Sequence, residues 1–226
     1  MPQRLLADPD AISLLRFWHE RRGGDPAPRW DGDMSELPVD LLPNVAVTQR
    51  RPEAVFLYVG SECLSRWGAG ITGARVYEEV VTGPQGRYLR SVGDDALAWQ
   101  GPVFSAAVLS LGGAATATVG RLYVPFHYRG AAKPDAVIGL QIVPPEHRRI
   151  DFRRAVLAEE AVRVLVKDAG AVLALLEEAR RRWRLDAGMA SRAAEDARQD
   201  ADLAAEIHRL TGRSIIRLTP FSGAAG

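Results

Sequence analysis

Gly68-Ala69-Gly70-Ile71-Thr72-Gly73 has the G-x-G-x-x-G spacing that lets a backbone approach a dinucleotide pyrophosphate. That chemistry needs a strand directly before the glycines and a long helix directly after them. Here a short helix ending at Trp67 precedes them and only a weak helical turn follows, so they read as a loop at a helix C-terminus. The histidines, His19, His127, His147 and His208, fall in different elements, and none is spaced with another His, Cys or acid as a metal pair on one face requires. Cys63 is the single cysteine, which excludes an intrachain disulfide. No basic cluster beside it lowers its pKa, so it reads as a small buried apolar residue. The acid pairs Glu78-Glu79, Asp94-Asp95 and Glu159-Glu160 are adjacent in sequence, do not converge on one helical face and read as solvated surface. The basic run Arg180–Arg182, with Trp183 and Arg184, follows Glu177-Glu178, the pattern of charge pairing at a helix end. No Walker A loop and no supported Ser/His/Asp set is present.

One further set suits binding. Phe56, Tyr58, Trp67, Tyr77, Trp99, Phe104, Tyr123 and Gln141 sit in apolar runs with a polar atom on several of them. They fit a small-molecule pocket between a sheet and helices. Pockets and cores share composition, and without a cofactor signature the residues fit a filled core better.

These residues are positioned by a legible series of elements. Asp8-Pro9 starts a helix, with Asp as the cap and Pro in the first turn, and Gly23-Gly24 ends it. Ile12, Leu15 and Trp18 share its apolar face, which must dock on this chain or on a second copy. Residues 37–42 read as a short helix closed by Pro43. Residues 45–49 and 54–60 read as a hairpin, with Phe56 and Tyr58 expected on one face and Val55, Leu57 and Val59 on the other. Ser61 is the expected cap of the short helix that follows. Residues 75–81 allow a helical turn, and Leu89, Val92, Ala96 and Trp99 share one face of a helix over 85–100. Residues 103–111, 116–128 and 136–143 read as strands.

Beyond Pro144-Pro145 the pattern changes. Asp151 is a plausible cap for a helix from Phe152, and Val162, Leu165, Ala169, Val172, Leu176, Ala179 and Trp183 repeat at three or four, as a coiled-coil seam does. The rival reading makes 162–166 a strand and starts the helix at Asp168. Ala and Glu in the flanks favour helix. An alanine stripe follows over 190–204, then a short strand-like run at 214–218 and a Gly-rich tail.

The chain has 226 residues, 47% hydrophobic, enough for a sizeable core. A formal net charge of +1 offers no general attraction for nucleic acid or an anionic membrane. The N-terminal MPQRLLADPD lacks the apolar run of a signal peptide, and no stretch approaches the roughly 20 apolar residues of a membrane helix. A cytoplasmic location is therefore expected.

Three stretches together resemble a PAS domain of the short alphaproteobacterial regulator type: LLRFWHERRGG at 14–24, LPVDLLPNVAV at 37–47, and FLYVG followed by CLSRWGAGITG within 54–73. The likeness covers residues 14–143. It implies an α+β fold: a five-stranded antiparallel sheet with helices on one face, an N-terminal cap helix over 1–36, the domain proper over 37–145, and a C-terminal helical extension over 146–226. It implies that the cap helix pairs two subunits through Ile12, Leu15 and Trp18. Haem-binding members carry an axial histidine on the helix between the second and third strands, and residues 75–100 contain none. The motif around the reactive cysteine of light-sensing members is also missing. The expected function is a non-enzymatic sensor or adaptor that binds an unidentified small molecule or a protein partner, as a homodimer, with no evident cofactor. The alternative is a dimerisation scaffold with a packed core.

Overall fold

The structure, a computed structural model, describes residues 5–186 apart from 6, 51–53, 69 and 148, together with residues 205, 206 and 209. Its centre is an open sheet that pairs antiparallel throughout, except for one short strand. The strands are β1 (Arg29–Trp30), β2 (Val45–Arg50), β3 (Ala54–Val59), β4 (Val103–Gly112), β5 (Ala115–Tyr128), β6 (Ala136–Ile142) and β7 (Val156–Leu165). Their order is β3-β2-β6-β5-β4-β7, and β1 pairs in parallel with the far end of β5. The α+β class and the antiparallel sheet agree with the sequence reading. The strand count does not: seven strands replace the expected five.

The helices lie on both faces of the sheet, not on one. On the first face α1 (Pro9–Arg22) and α4 (Ala169–Asp186) cover Val45, Phe104, Leu122, Phe126 and Ile138. On the second, α2 (Ser61–Trp67) and α3 (Gly83–Trp99) cover Val103, Ala107, Leu109 and Val119. Strands buried on both sides are apolar at nearly every position, which is how β4 and β5 read.

Helix α1 begins as its sequence demands. The Asp8 side chain accepts from the Asp10 amide at 2.9 Å, and Gly23 closes the helix at φ +59°. Ile12, Leu15 and Trp18 are buried in their own chain, at 3%, 2% and 1% exposure. Trp18 Nε1 donates to the Pro125 carbonyl at 2.8 Å. The expected dimer contact is thus corrected: this face is occupied by β5 and α4, and cannot pair two subunits while the fold is intact.

The largest difference lies after residue 146. Residues 162–165 are strand, not helix. Val162 and Val164 point to the α1 face while Arg163 points to the other, a period of two. They pair with Ala106 and Phe104 of β4. Covering an otherwise open edge outweighs the helix propensity of the flanking Ala and Glu residues. Asp151 caps no helix; it accepts from the Arg153 amide in a turn. The helix starts instead at Asp168, which accepts from Ala171 N at 2.9 Å. Val172 and Leu176 of the expected seam then face α1. The described parts of the segments expected as a cap (1–36) and an extension (146–226), α1 and β7–α4, therefore both pack with the one sheet. The alanine stripe, the run at 214–218, the tail and His208 lie outside the described residues.

Candidate functional site

Between the second sheet face and α2 lies a cavity of about 50 Å³, room for more than one water by the threshold of roughly 10–15 Å³ for the first. Five of the eight residues singled out from the sequence line it: Phe56, Trp67, Tyr77, Tyr123 and Gln141. Three do not. Tyr58 turns to the first face, where its hydroxyl donates to the Leu42 carbonyl at 3.1 Å. Phe104 is fully buried in that same layer. Trp99 ends α3, and its indole N–H donates to the Val166 carbonyl at 3.0 Å.

Tyr58 parts from Phe56 because the hairpin is irregular. Thr48 pairs with Phe56 but Val47 pairs with Tyr58, so Leu57 is an extra residue in β3. A bulge of this kind breaks the alternation. Phe56 and Val59 therefore share the cavity face, while Leu57 and Tyr58 pack on the other. Phe104 is a phase effect of another sort: in β4 it is Val103 that takes the cavity side, opposite Tyr123.

The floor of the cavity is open because the strands carry small residues there. Ala46, Gly139 and Tyr123 are neighbours across β2, β6 and β5. A Cβ at Gly139 would come within 3.3 Å of the Tyr123 ring, so glycine lets that ring lie across β6. Cys63 of α2 also lines the cavity and is fully buried. Phe152 packs against the cavity-lining Trp67, their rings 5.0 Å apart, and its amide donates to the Arg66 carbonyl at 3.1 Å.

The polar member that matters most was not singled out from the sequence. Arg121 of β5 lines the cavity at 1% exposure, and none of its three guanidinium nitrogens has a hydrogen-bond partner among the described residues. Among the described residues its charge lies over ring faces, 5.6 Å from Tyr88 and 5.9 Å from Phe152. Its cross-strand neighbours are Gln141 and Ser105. The buried Gln141 Oε1 also lacks a partner. The signal was present: in TVGRLYV a lone cation interrupts an apolar strand, on the face of Val119 and Tyr123.

Two strands away the same row holds Arg163, opposite Ser105. It is matched: Glu160 at 2.5 Å, Asp95 at 2.6 Å and the Ser91 hydroxyl at 2.8 Å. The Ser105 hydroxyl bonds to Tyr88 and reaches Glu160 at 3.4 Å. Burial pushes the Tyr77 phenol and the Cys63 thiol up to about 12, and raises Tyr88 and Tyr123 as well. At neutral pH these groups are un-ionised hydrogen-bonding groups, not proton carriers.

The remaining sequence candidates are placed elsewhere. Gly68, Gly70 and Gly73 all have positive φ, between +75° and +103°. They form a loop that returns beside β3, where Gly73 N donates to the Phe56 carbonyl at 2.7 Å. His127 Nδ1 contacts the Ala131 carbonyl at 2.9 Å. Among the described residues no three His, Cys, Asp or Glu side chains come together as a metal site. Glu177 and Glu178 pair with Arg16 and Arg181. A larger surface hollow of about 430 Å³ near Arg66 and Arg153 has both those cations bound to acids, Glu62 and Asp151. No described helix is long and apolar enough to cross a membrane. Comparison with protein-family models, curated proteins and solved structures finds no match for the chain.

Proposed function

We propose that this chain is a non-enzymatic sensor of PAS type, which binds a small molecule in the cavity between its sheet and α2 and answers through α4 and the residues beyond it. The observation that carries the reading is the cavity itself: an apolar chamber in which a buried arginine and a buried amide oxygen lack partners. Buried polar groups are hydrogen-bonded in the great majority of cases, so two unmatched ones facing a single chamber support a bound partner there; His19 Nδ1 and Gln85 Nε2 are also unmatched but do not line it. The PAS resemblance adds the order of elements, a hairpin, a helical crossover and three more antiparallel strands, which β2 to β6 follow. With its thiol and phenols un-ionised, the chamber is suited to grip rather than to transfer protons.

The route outward is short. Arg121 neighbours Ser105, Ser105 neighbours Arg163 of β7, and β7 runs into α4. A ligand bound better by one packing of α3 and β7 than another shifts their equilibrium, and α4 moves with it. The response is then read by a protein partner in the cytoplasm, in a homodimer formed by a surface other than the buried face of α1.

Native mass spectrometry of the gently purified full chain tests this. A retained small molecule, lost when Ala46→Val narrows the chamber, is the expected result. Bare protein, with no thermal shift from any metabolite screened, overturns it in favour of a packed scaffold.

A further inference from the structure

We infer that the molecule held in this cavity is a short hydroxy-monocarboxylate, its carboxylate on the Arg121 guanidinium and its hydroxyl on the Gln141 amide. This rests on the reading of the cavity as a ligand site. A buried guanidinium with every donor unmatched calls for an anion, and the planar fork fits a carboxylate through two parallel hydrogen bonds. The charge count limits the anion to one unit. Among the described residues Arg121 is the single cation lining the cavity and no acid lines it, so a phosphate dianion would keep an uncompensated buried charge. Arg163, the nearest cation along the row, is already engaged by two carboxylates, Glu160 and Asp95, and has no charge to spare for a ligand.

The size of the cavity keeps the organic body to a few carbons, packed among Phe56, Trp67, Ile71 and Val76. Gln141 is the cross-strand neighbour of Arg121, so its amide reaches the same end of the ligand. A hydroxyl beside the carboxylate suits that amide in either orientation, donating to its oxygen or accepting from its nitrogen.

The test uses the full chain, isothermal titration and thermal unfolding, with lactate as the probe. Lactamide, propionate, inorganic phosphate and chloride are the comparators. Lactate is expected to bind and to raise the unfolding midpoint, ahead of propionate, with lactamide, phosphate and chloride showing no such effect. Arg121→Met keeps the stem and removes the charge. It is expected to weaken lactate by at least about tenfold, the worth of a charge-assisted bond, while unfolding no earlier than the parent protein without lactate. Lactamide binding as well as lactate, phosphate or chloride reproducing the shift, or unchanged lactate affinity in Arg121→Met overturns the carboxylate. Propionate equal to lactate overturns the hydroxyl on Gln141. An uncharged molecule that binds the parent and fails in Ala46→Val leaves the ligand site standing and removes its anionic character. No binding by any probe, together with bare protein in native mass spectrometry, removes both.

Discussion

The two faces of the sheet are built from similar residues to different ends. The α1/α4 face is filled: Trp18, Phe104, Phe126, Leu140 and Leu176 are all at most 1% exposed, and the aromatic rings of Phe17 and Trp30 lie 6.2 Å and 5.5 Å from that of Phe126. The α2/α3 face is incomplete. Small residues at Ala46 and Gly139, a bulge in β3 and a cation without an acid leave a chamber where the opposite face has side chains. A domain that needs only stability fills both faces, because each lost contact costs packing energy. The difference teaches that both faces carry buried core, but packing is complete on the α1/α4 face and leaves room on the other.

Truncation on the filled face is expected to have the largest effect. Trp18→Ala removes a fully buried ring and its bond to Pro125, and is expected to cost about 3–5 kcal/mol in urea unfolding. A loss under about 1 kcal/mol would mean that α1 is not a structural member. Close behind it comes Arg163→Met, which strands the buried Glu160 carboxylate and is expected to cost about 3 kcal/mol. On the same row, Arg121→Met leaves no charge behind; equal losses from the two arginines would erase the contrast between a matched and an unmatched cation.

Next come paired enlargements. Ala106→Val on the filled face is expected to destabilise by about 1–3 kcal/mol through overpacking. Ala46→Val enters open space, so its cost should stay below about 1 kcal/mol. The reverse ranking would place the spare volume on the wrong side of the sheet.

Alkaline pH bears chiefly on the cavity face, although burial raises the pKa of Tyr58 on the first face too. Cys63, Tyr77, Tyr88 and Tyr123 of the cavity face all have raised pKa values, chiefly from burial. Raised values mean that the un-ionised forms support the fold. That support is complete below the ordinary thiol value of 9.0 and is lost as pH climbs toward about 12. Stability should therefore fall across this window, and Cys63→Ala and Tyr77→Phe should each flatten the fall in pH-dependent unfolding curves. Curves superimposable on the parent would place those groups in water. The smallest effect is at the α1–α4 ion pair of Arg16 with Glu177, whose side chains are 47% and 37% exposed. Arg16→Ala should change stability by no more than about 1 kcal/mol, and less in high salt.

Local rules specified much of this chain. Asp8-Pro9 and Gly23 set the ends of α1, the apolar runs set β2 to β6, and Leu89, Val92 and Ala96 set the inward side of α3. Those signals depend on neighbours in sequence: a side chain capping its own helix, or a periodicity of two or 3.6. Five of the cavity residues were legible in the same way, as apolar or aromatic positions in those elements. What depended on distant partners was not. Residues 156–165 became strand because β4 had an edge to cover, and Tyr58 left the cavity because of one extra residue in the hairpin. Arg121 stood in plain view within an apolar strand, yet its meaning came only from which side chains the sheet set beside it, and which it did not. A partner's absence is a property of three-dimensional neighbours, and chain order alone cannot express it.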